Sequence, residues 1–323
     1  MDEVIKKYLE AISMGELQVY KNIGILPLIL EMEAPFEYYT LDEALNEDVM
    51  TITEVTERGN IPNLRLVNRG PKMILILEGE ELVGSKQNRI VNVTMLIGGH
   101  NEVIIPVSCV ERRRWSYKSE TFCSESRMFS AFMRKNAQED IIDSVARDRG
   151  FYPDQSRVWD GLSEKADKLG IFSSTDAMRD IYIQKEVSIN EYLENFQVIP
   201  NQVGMIVLID NRAVGLDSFG RADTLEKVFK KLVSSYALEA LNVRESEGYS
   251  SRMKDLACEF MDKVKSGKVE WRPSVDLGMD GRVESDQVIG SSLVFENQLL
   301  HLAFFLKGGP GNRKPRIHRP FQR

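Results

Sequence analysis

Residues 72–115, KMILILEGEELVGSKQNRIVNVTMLIGGHNEVIIPVSCVERRRW, constrain the fold of this chain more than any other stretch. Three apolar segments lie within 73–110, separated by the polar residues 78–89 and 98–101, and each has the length of a strand rather than of a long helix. Gly98-Gly99 supplies a ready hairpin turn, because glycine reaches positive φ without steric cost. Glu78-Gly79 reads as another. Two polar clusters therefore sit at strand ends, where binding groups collect.

The flanking chain changes period. Val4, Ile5, Tyr8, Leu9 and Ile12 predict a short amphipathic helix, and the extended run from Leu17 contains a Gly24 and a Pro27 that suit an edge strand. Thr40 and Glu43 form a capping box. After Cys123, Phe129, Met133, Ala137, Ile141 and Val145 step by four, which predicts a helix ending near Gly150. A second helix carries Val158, Leu162, Ala166 and Leu169 between an Asp154 N-cap and a Gly170 stop. A third helical region runs from near Ser174 to Phe196, with a break where Ser188 and Glu191 offer a capping box. Strand character returns at 203–209, turns at Asp210-Asn211, and gives way to helices around 223–240 and 253–264; strands at 269–272 and 291–306 close the pattern. Strands cluster more than they alternate with helices, so the expected fold is α+β, a mainly antiparallel sheet body with a central helical block. The expected units are a β-rich 1–123, a helical 124–196, an α+β 197–306 that completes the body, and a flexible basic tail, 307–323. MILILEGEELVGSK and MIVLIDNRAVGLDS share a strand, an acidic turn and Val-Gly, a likeness that a duplicated hairpin would produce but that antiparallel hairpins share by chance anyway.

With 323 residues, 42% hydrophobic and 28% charged, the chain can bury a large core. The net charge of −7 argues against general nucleic-acid binding, although 307–323 holds six Lys/Arg and no acidic residue, and RNA could engage that tail. Three widely spaced cysteines suggest neither a disulfide framework nor a metal knuckle and fit a reducing cytoplasm. No apolar run has membrane-spanning length and the first residues lack a signal-peptide core, so neither insertion nor secretion is expected. GxGxxG, P-loop, HExxH and GxSxG motifs are all missing, and His100, His301 and His318 are far apart in sequence.

The chemistry-bearing candidates concentrate in the central stretch. Glu78, Glu80 and Glu81 would repel one another in a cleft, and a divalent cation, a basic partner or a raised pKa is the remedy. In an extended strand Glu78 and Glu80 share a face and Glu81 points opposite. The competing reading is a solvated turn. Lys86, Gln87, Asn88 and Arg89 can contact phosphate, ribose hydroxyls or a base edge, with Arg89 able to grip phosphate by two bonds. They can equally pair with the preceding glutamates. Glu111 and Trp115 line the same pocket in the ligand reading, although Trp115 reads more readily as core or rim than as a base-stacking platform. Cys109, beside Arg112, Arg113 and Arg114, could be an activated thiol if accessible, but reads more readily as a small buried hydrophobe. Asp217 precedes a helix whose N-terminus could receive an anion, or is a turn residue.

LEGEELVGSKQNRIVN (77–92) and VIIPVSCVERRRW (103–115) resemble the ARG-and-rhodanese-phosphatase-superfamily-associated protein family. The likeness extends through LPLIL, YTLDEAL, VTERGNIPNLRLVNRG, DQSRVW and VGLDSFGRADTLEKVFKKLVSSYALEAL, which is most of the chain. The basic tail and the lengths of the helical block are not matched. The resemblance implies association with ADP-ribosylglycohydrolases and phosphatases, hence the handling of ADP-ribose, its phosphorylated derivatives or related NAD metabolites. Two functions follow. One is binding or metal-assisted processing of a nucleotide-type small molecule between 78–89 and 111–115. The other is a non-catalytic interaction or scaffold protein whose polar signature is a structural charge network. Both leave the oligomeric state open.

Overall fold

The computed structural model describes residues 2–31, 34–56, 62–243 and 252–308. Helix α1 (Glu3–Ala11), whose first turn donates to the Asp2 carboxylate, leads into strands β1 (Ser13–Met14), β2 (Gln18–Tyr20) and β3 (Ile23–Ile29). Strand β4 (Tyr38–Thr40) enters α2 (Leu41–Asn46) through the expected capping box, in which the Thr40 hydroxyl accepts from Glu43 N–H and the Glu43 carboxylate accepts from Thr40 N–H. Strands β5 (Met50–Glu54), β6 (Asn63–Asn68), β7 (Met73–Ile76), β8 (Glu81–Gly84), β9 (Arg89–Val91), β10 (Met95–Ile97), β11 (Asn101–Cys109) and β12 (Phe122–Cys123) follow. The helical block comprises α3 (Ala131–Val145), α4 (Gln155–Leu169), α5 (Met178–Gln184) and α6 (Glu186–Leu193). The remainder is β13 (Gln202–Ile209), β14 (Arg212–Phe219), α7 (Ala222–Ala240), α8 (Met253–Lys265), β15 (Val269–Pro273), β16 (Met279–Glu284), β17 (Val288–Phe295) and β18 (Gln298–Leu306).

These elements make an α+β fold. A nine-stranded sheet has the order β1-β3-β13-β14-β18-β17-β16-β15, with β2 also on β3; a six-stranded sheet runs β12-β8-β9-β11-β6-β5, and a three-stranded one β10-β7-β4. Among the described residues the named strand pairs are antiparallel except β4 with β7. The large sheet is buried on both faces. Ile23, Ile25, Met205 and Val207 point into a core shared with α3, α6 and α7, while Leu26, Leu28, Ile206 and Leu208 point into one shared with α1 and α8. A third core, with Leu66, Ile76 and Ile105, lies between the two smaller sheets. Among the described residues no helix is long and apolar enough to cross a membrane.

Several local expectations are corrected. Strand β3 is not an edge, since β13 flanks it on one side and β1 and β2 on the other. Pro27 is tolerated there because β1 ends opposite Leu28 and β2 begins opposite Ile25, so no named strand demands its missing N–H on that side, where its carbonyl accepts from Gly15 N–H at 2.9 Å. Glu78-Gly79 and Gly98-Gly99 are not hairpin turns. Strand β7 pairs with β10 and β4, whereas β8 pairs with β9 and β12 and β11 with β6 and β9. Each of these dipeptides instead passes the chain between the small sheets. The likeness between the 73–86 and 205–218 segments therefore stops at sequence, for Asp210-Asn211 does join paired strands, with φ of 49° and 57°. Glu296-Asn297 makes a similar turn with φ of 47° and 61°, and β16 is a strand the sequence pattern missed. Helix α3 ends at Val145, ahead of the left-handed Asp148. The break between α5 and α6 falls at Lys185, not at Ser188. The basic tail from residue 309 onward lies outside the described residues; Lys307 pairs with Glu284 at 2.6 Å.

Candidate functional site

The turn at Gly79, with φ +85°, spreads the three glutamates to separate partners. Glu78 accepts hydrogen bonds from Gln138 on α3 and from Ser291 on β17 (2.9 Å), with Arg282 3.8 Å away. A cavity of about 10 Å³, room for about one water, adjoins Glu78, Arg134 and Gln138. Glu80 meets Lys231 on α7 at 2.6 Å and accepts from Leu77 N–H at 2.7 Å. Lys231 also holds Asp42 at 2.8 Å. With one ammonium between two carboxylates, burial and the nearby Asp42 charge push Glu80 up, whereas Asp42, opposed by partial burial but favoured by Lys231, is held down. Glu81 accepts only a 3.4 Å contact from Asn88, and burial pushes it up to about 7 despite the Arg127 charge. Glu78 and Glu80 thus do not converge. Among the described residues no three His, Cys, Asp or Glu side chains gather as a metal site.

Asp217 lies within β14 and is fully buried, not in a turn. Arg134 grips it with two bonds, Tyr236 donates to it at 2.8 Å, and His301 Nε2 stands 3.7 Å away. His301 Nδ1 lies 3.0 Å from the Thr94 hydroxyl, which accepts from Glu78 N–H at 3.1 Å. Burial opposes ionisation of Asp217, but the Arg134 guanidinium, with the His301 ring nearby, holds it well below the usual carboxylate range. Sequence patterning gives no signal for Arg134 or Tyr236, which lie within ordinary helix patterns, and His301 reads there only as a histidine far in sequence from the other two.

The other signature residues come together around the ends of β8, β9 and β11. Glu111 accepts from Asn88 N–H at 3.2 Å, from Arg114 Nε at 2.7 Å and from Thr175 at 3.0 Å, and its backbone carbonyl accepts from Gln87 Nε2 at 3.0 Å. Arg89 donates through Nη1 to Gln87 Oε1 at 3.0 Å, and the Cys109 thiol donates to the same oxygen at 3.1 Å. Burial raises the Cys109 pKa, which disfavours a thiolate. Arg89 Nη2 lies 3.6 Å from Glu54 Oε1, and Arg89 Nε and Nη2 and both Glu54 carboxylate oxygens are buried without hydrogen-bond partners. Trp115 stands over this corner, 49% exposed, its ring centroid 5.6 Å from Lys86 Nζ and 5.9 Å from Arg89 Cζ. Tyr117, two residues on, is exposed as well. Glu54 was absent from the sequence candidates because a lone glutamate ending the alternating strand MTITE reads as surface.

The corner thus combines an aromatic face, two cations, and a buried carboxylate with unused acceptor capacity. It can meet a ligand that presents a ring, an anionic group and hydroxyl donors together. A family model, that of the ARG and Rhodanese-Phosphatase-superfamily-associated Protein domain, matches residues 11–305. No curated protein and no solved structure matches the chain.

Proposed function

The chain belongs to the ARG and Rhodanese-Phosphatase-superfamily-associated Protein family, and on that premise we propose that it binds a nucleotide-type small molecule of the ADP-ribose class at the Trp115 corner. The base stacks on Trp115, Lys86 and Arg89 take phosphate, and Glu54 accepts ribose hydroxyls. Gln87, Asn88 and Glu111 hold Arg89 and the Trp115 loop in place. One observation carries this reading: Arg89 and Glu54, ion-paired at 3.6 Å, keep buried polar atoms without hydrogen-bond partners among the described residues, and Arg89 lies 5.9 Å from the ring of a half-exposed tryptophan. Buried polar groups left unmet destabilise a fold, so their presence in one corner points to a guest that satisfies them. The family's name supports the class of guest. Glu78, Glu80 and Asp217 have a different role in this proposal, as members of charge networks that fasten α3 and α7 to the sheets, which is where the scaffold reading finds its place. The three cysteines, all free, support a reducing cytoplasm.

Isothermal calorimetry with ADP-ribose, ADP, AMP and NAD, each with and without magnesium, tests the reading. ADP-ribose is expected to bind and to quench tryptophan fluorescence, and Trp115→Ala to abolish the quench. Absence of heat with all four ligands in both conditions would sink it.

A further inference from the structure

We infer that the protein has a second small-molecule site, for an amphipathic anion, in a cavity of about 270 Å³ whose lining shares no residue with the Trp115 corner. Its walls come from α3, α4, the β13–β14 hairpin and the ends of α7 and β18. A packed interior leaves few voids larger than a water, and an opening of this size approaches the range of ligand pockets, about 300–1,000 Å³. The floor is apolar, with Phe132, Ala213, Val214, Val243 and Phe305. Such a surface excludes a purely polar guest.

The polar groups specify the rest. Glu239 is committed, because it accepts from Phe132 N–H at 3.1 Å and pairs with Lys165 at 2.6 Å. Lys168 pairs with Glu164 at 2.6 Å. Lys135 lies against the Phe132 ring, 5.1 Å from its centroid. Arg212, the first residue of β14, has no ion pair among the described residues and is exposed at the lip. Four cations thus line the cavity against three carboxylates, Asp210 being the third. Asn242 adds a buried Oδ1 without a hydrogen-bond partner, an acceptor that a ligand N–H or O–H can use. The fitting guest is a flat apolar ring with one donor on its edge and one carboxylate, sulfonate or phosphate reaching Arg212.

Indole-3-acetate has these features, and indole and tryptamine supply the neutral and cationic controls. Calorimetry and saturation-transfer NMR on the full chain are expected to give one site for indole-3-acetate, with affinity at least about tenfold above that for tryptamine. Arg212→Glu is expected to erase or invert that preference and Asn242→Ala to weaken binding of the ring, while Trp115→Ala leaves both unchanged. Melting temperatures of the variants confirm that they fold. Equal or tighter binding of tryptamine, binding indifferent to Arg212→Glu and Asn242→Ala, or no binding of any of the three would overturn the inference.

Discussion

Glu81 sits in the core with one carboxylate oxygen lacking a partner, and burial pushes its pKa up to about 7 from an ordinary 4.5. The folded state therefore holds this proton more tightly than the unfolded chain. Its contribution to stability is complete below pH 4.5 and is lost as pH rises through 7. Across that window the wild type is expected to lose roughly 3 kcal/mol relative to Glu81→Gln, which keeps a neutral side chain throughout. Urea melts at several pH values measure this, and parallel curves for the two proteins would refute it. Trp115 is a contrasting case, because a half-exposed ring adds little to stability. Trp115→Ala is expected to weaken ADP-ribose binding by about one to two orders of magnitude, the usual worth of a base stack, with the melting temperature nearly unchanged. At this scale the sequence located the polar signature but not its pairings. Glu78 and Glu80 meet Gln138, Lys231 and Ser291, residues 60 to 213 positions away, and no local pattern encodes such distances.

Elements whose signal is local were the most legible. The Thr40–Glu43 box, the Asp154 N-cap, the Gly170 stop and the Asp210-Asn211 turn each act through residues within a few positions, so sequence alone exposes them. Thr40→Ala is expected to cost about 0.5–1 kcal/mol, toward the low end for caps because the hydroxyl contact is a long 3.5 Å. Strand partners were less legible, because periodicity shows that a segment is a strand without saying which strand it joins. The double glycine at 98–99 shows the consequence. Its value lies not in a hairpin but in close approach, since a Cβ on Gly99 would stand 2.1 Å from the Pro71 carbonyl oxygen, whereas one on Gly98 meets nothing nearer than 3.6 Å. Gly99→Ala is therefore expected to destabilise by roughly 1–3 kcal/mol and Gly98→Ala by much less. Equal denaturation midpoints for the two would contradict this packing.

The whole molecule is held by polar networks as well as by its three cores. Arg134 on α3 and Tyr236 on α7 both reach Asp217 in the large sheet, and Lys231 on α7 also reaches Glu80 in the connection between the small sheets, so both helices are fastened to the large sheet and α7 ties it to the smaller ones. Fold class was readable from clustered strands. This interlocking was not, for it depends on which helix faces which strand. A buried pair stabilises little over an apolar one of equal volume, but removing one partner strands the other's charge. Arg134→Met is thus expected to cost about 3–5 kcal/mol, since Asp217 loses the guanidinium that outweighs its burial. Its carboxyl then protonates at higher pH than in the wild type, where the depressed pKa gives stability that is present above the ordinary 3.8 and lost only as pH falls through the folded value. Replacing both residues, as Arg134→Met with Asp217→Leu, removes the stranded charge and is expected to recover part of the loss. Urea denaturation of the four proteins closes the double-mutant cycle. Strong positive coupling marks Arg134 and Asp217 as one structural unit; additive losses would mean that each residue acts through contacts of its own and that the network does not join α3 to the sheet.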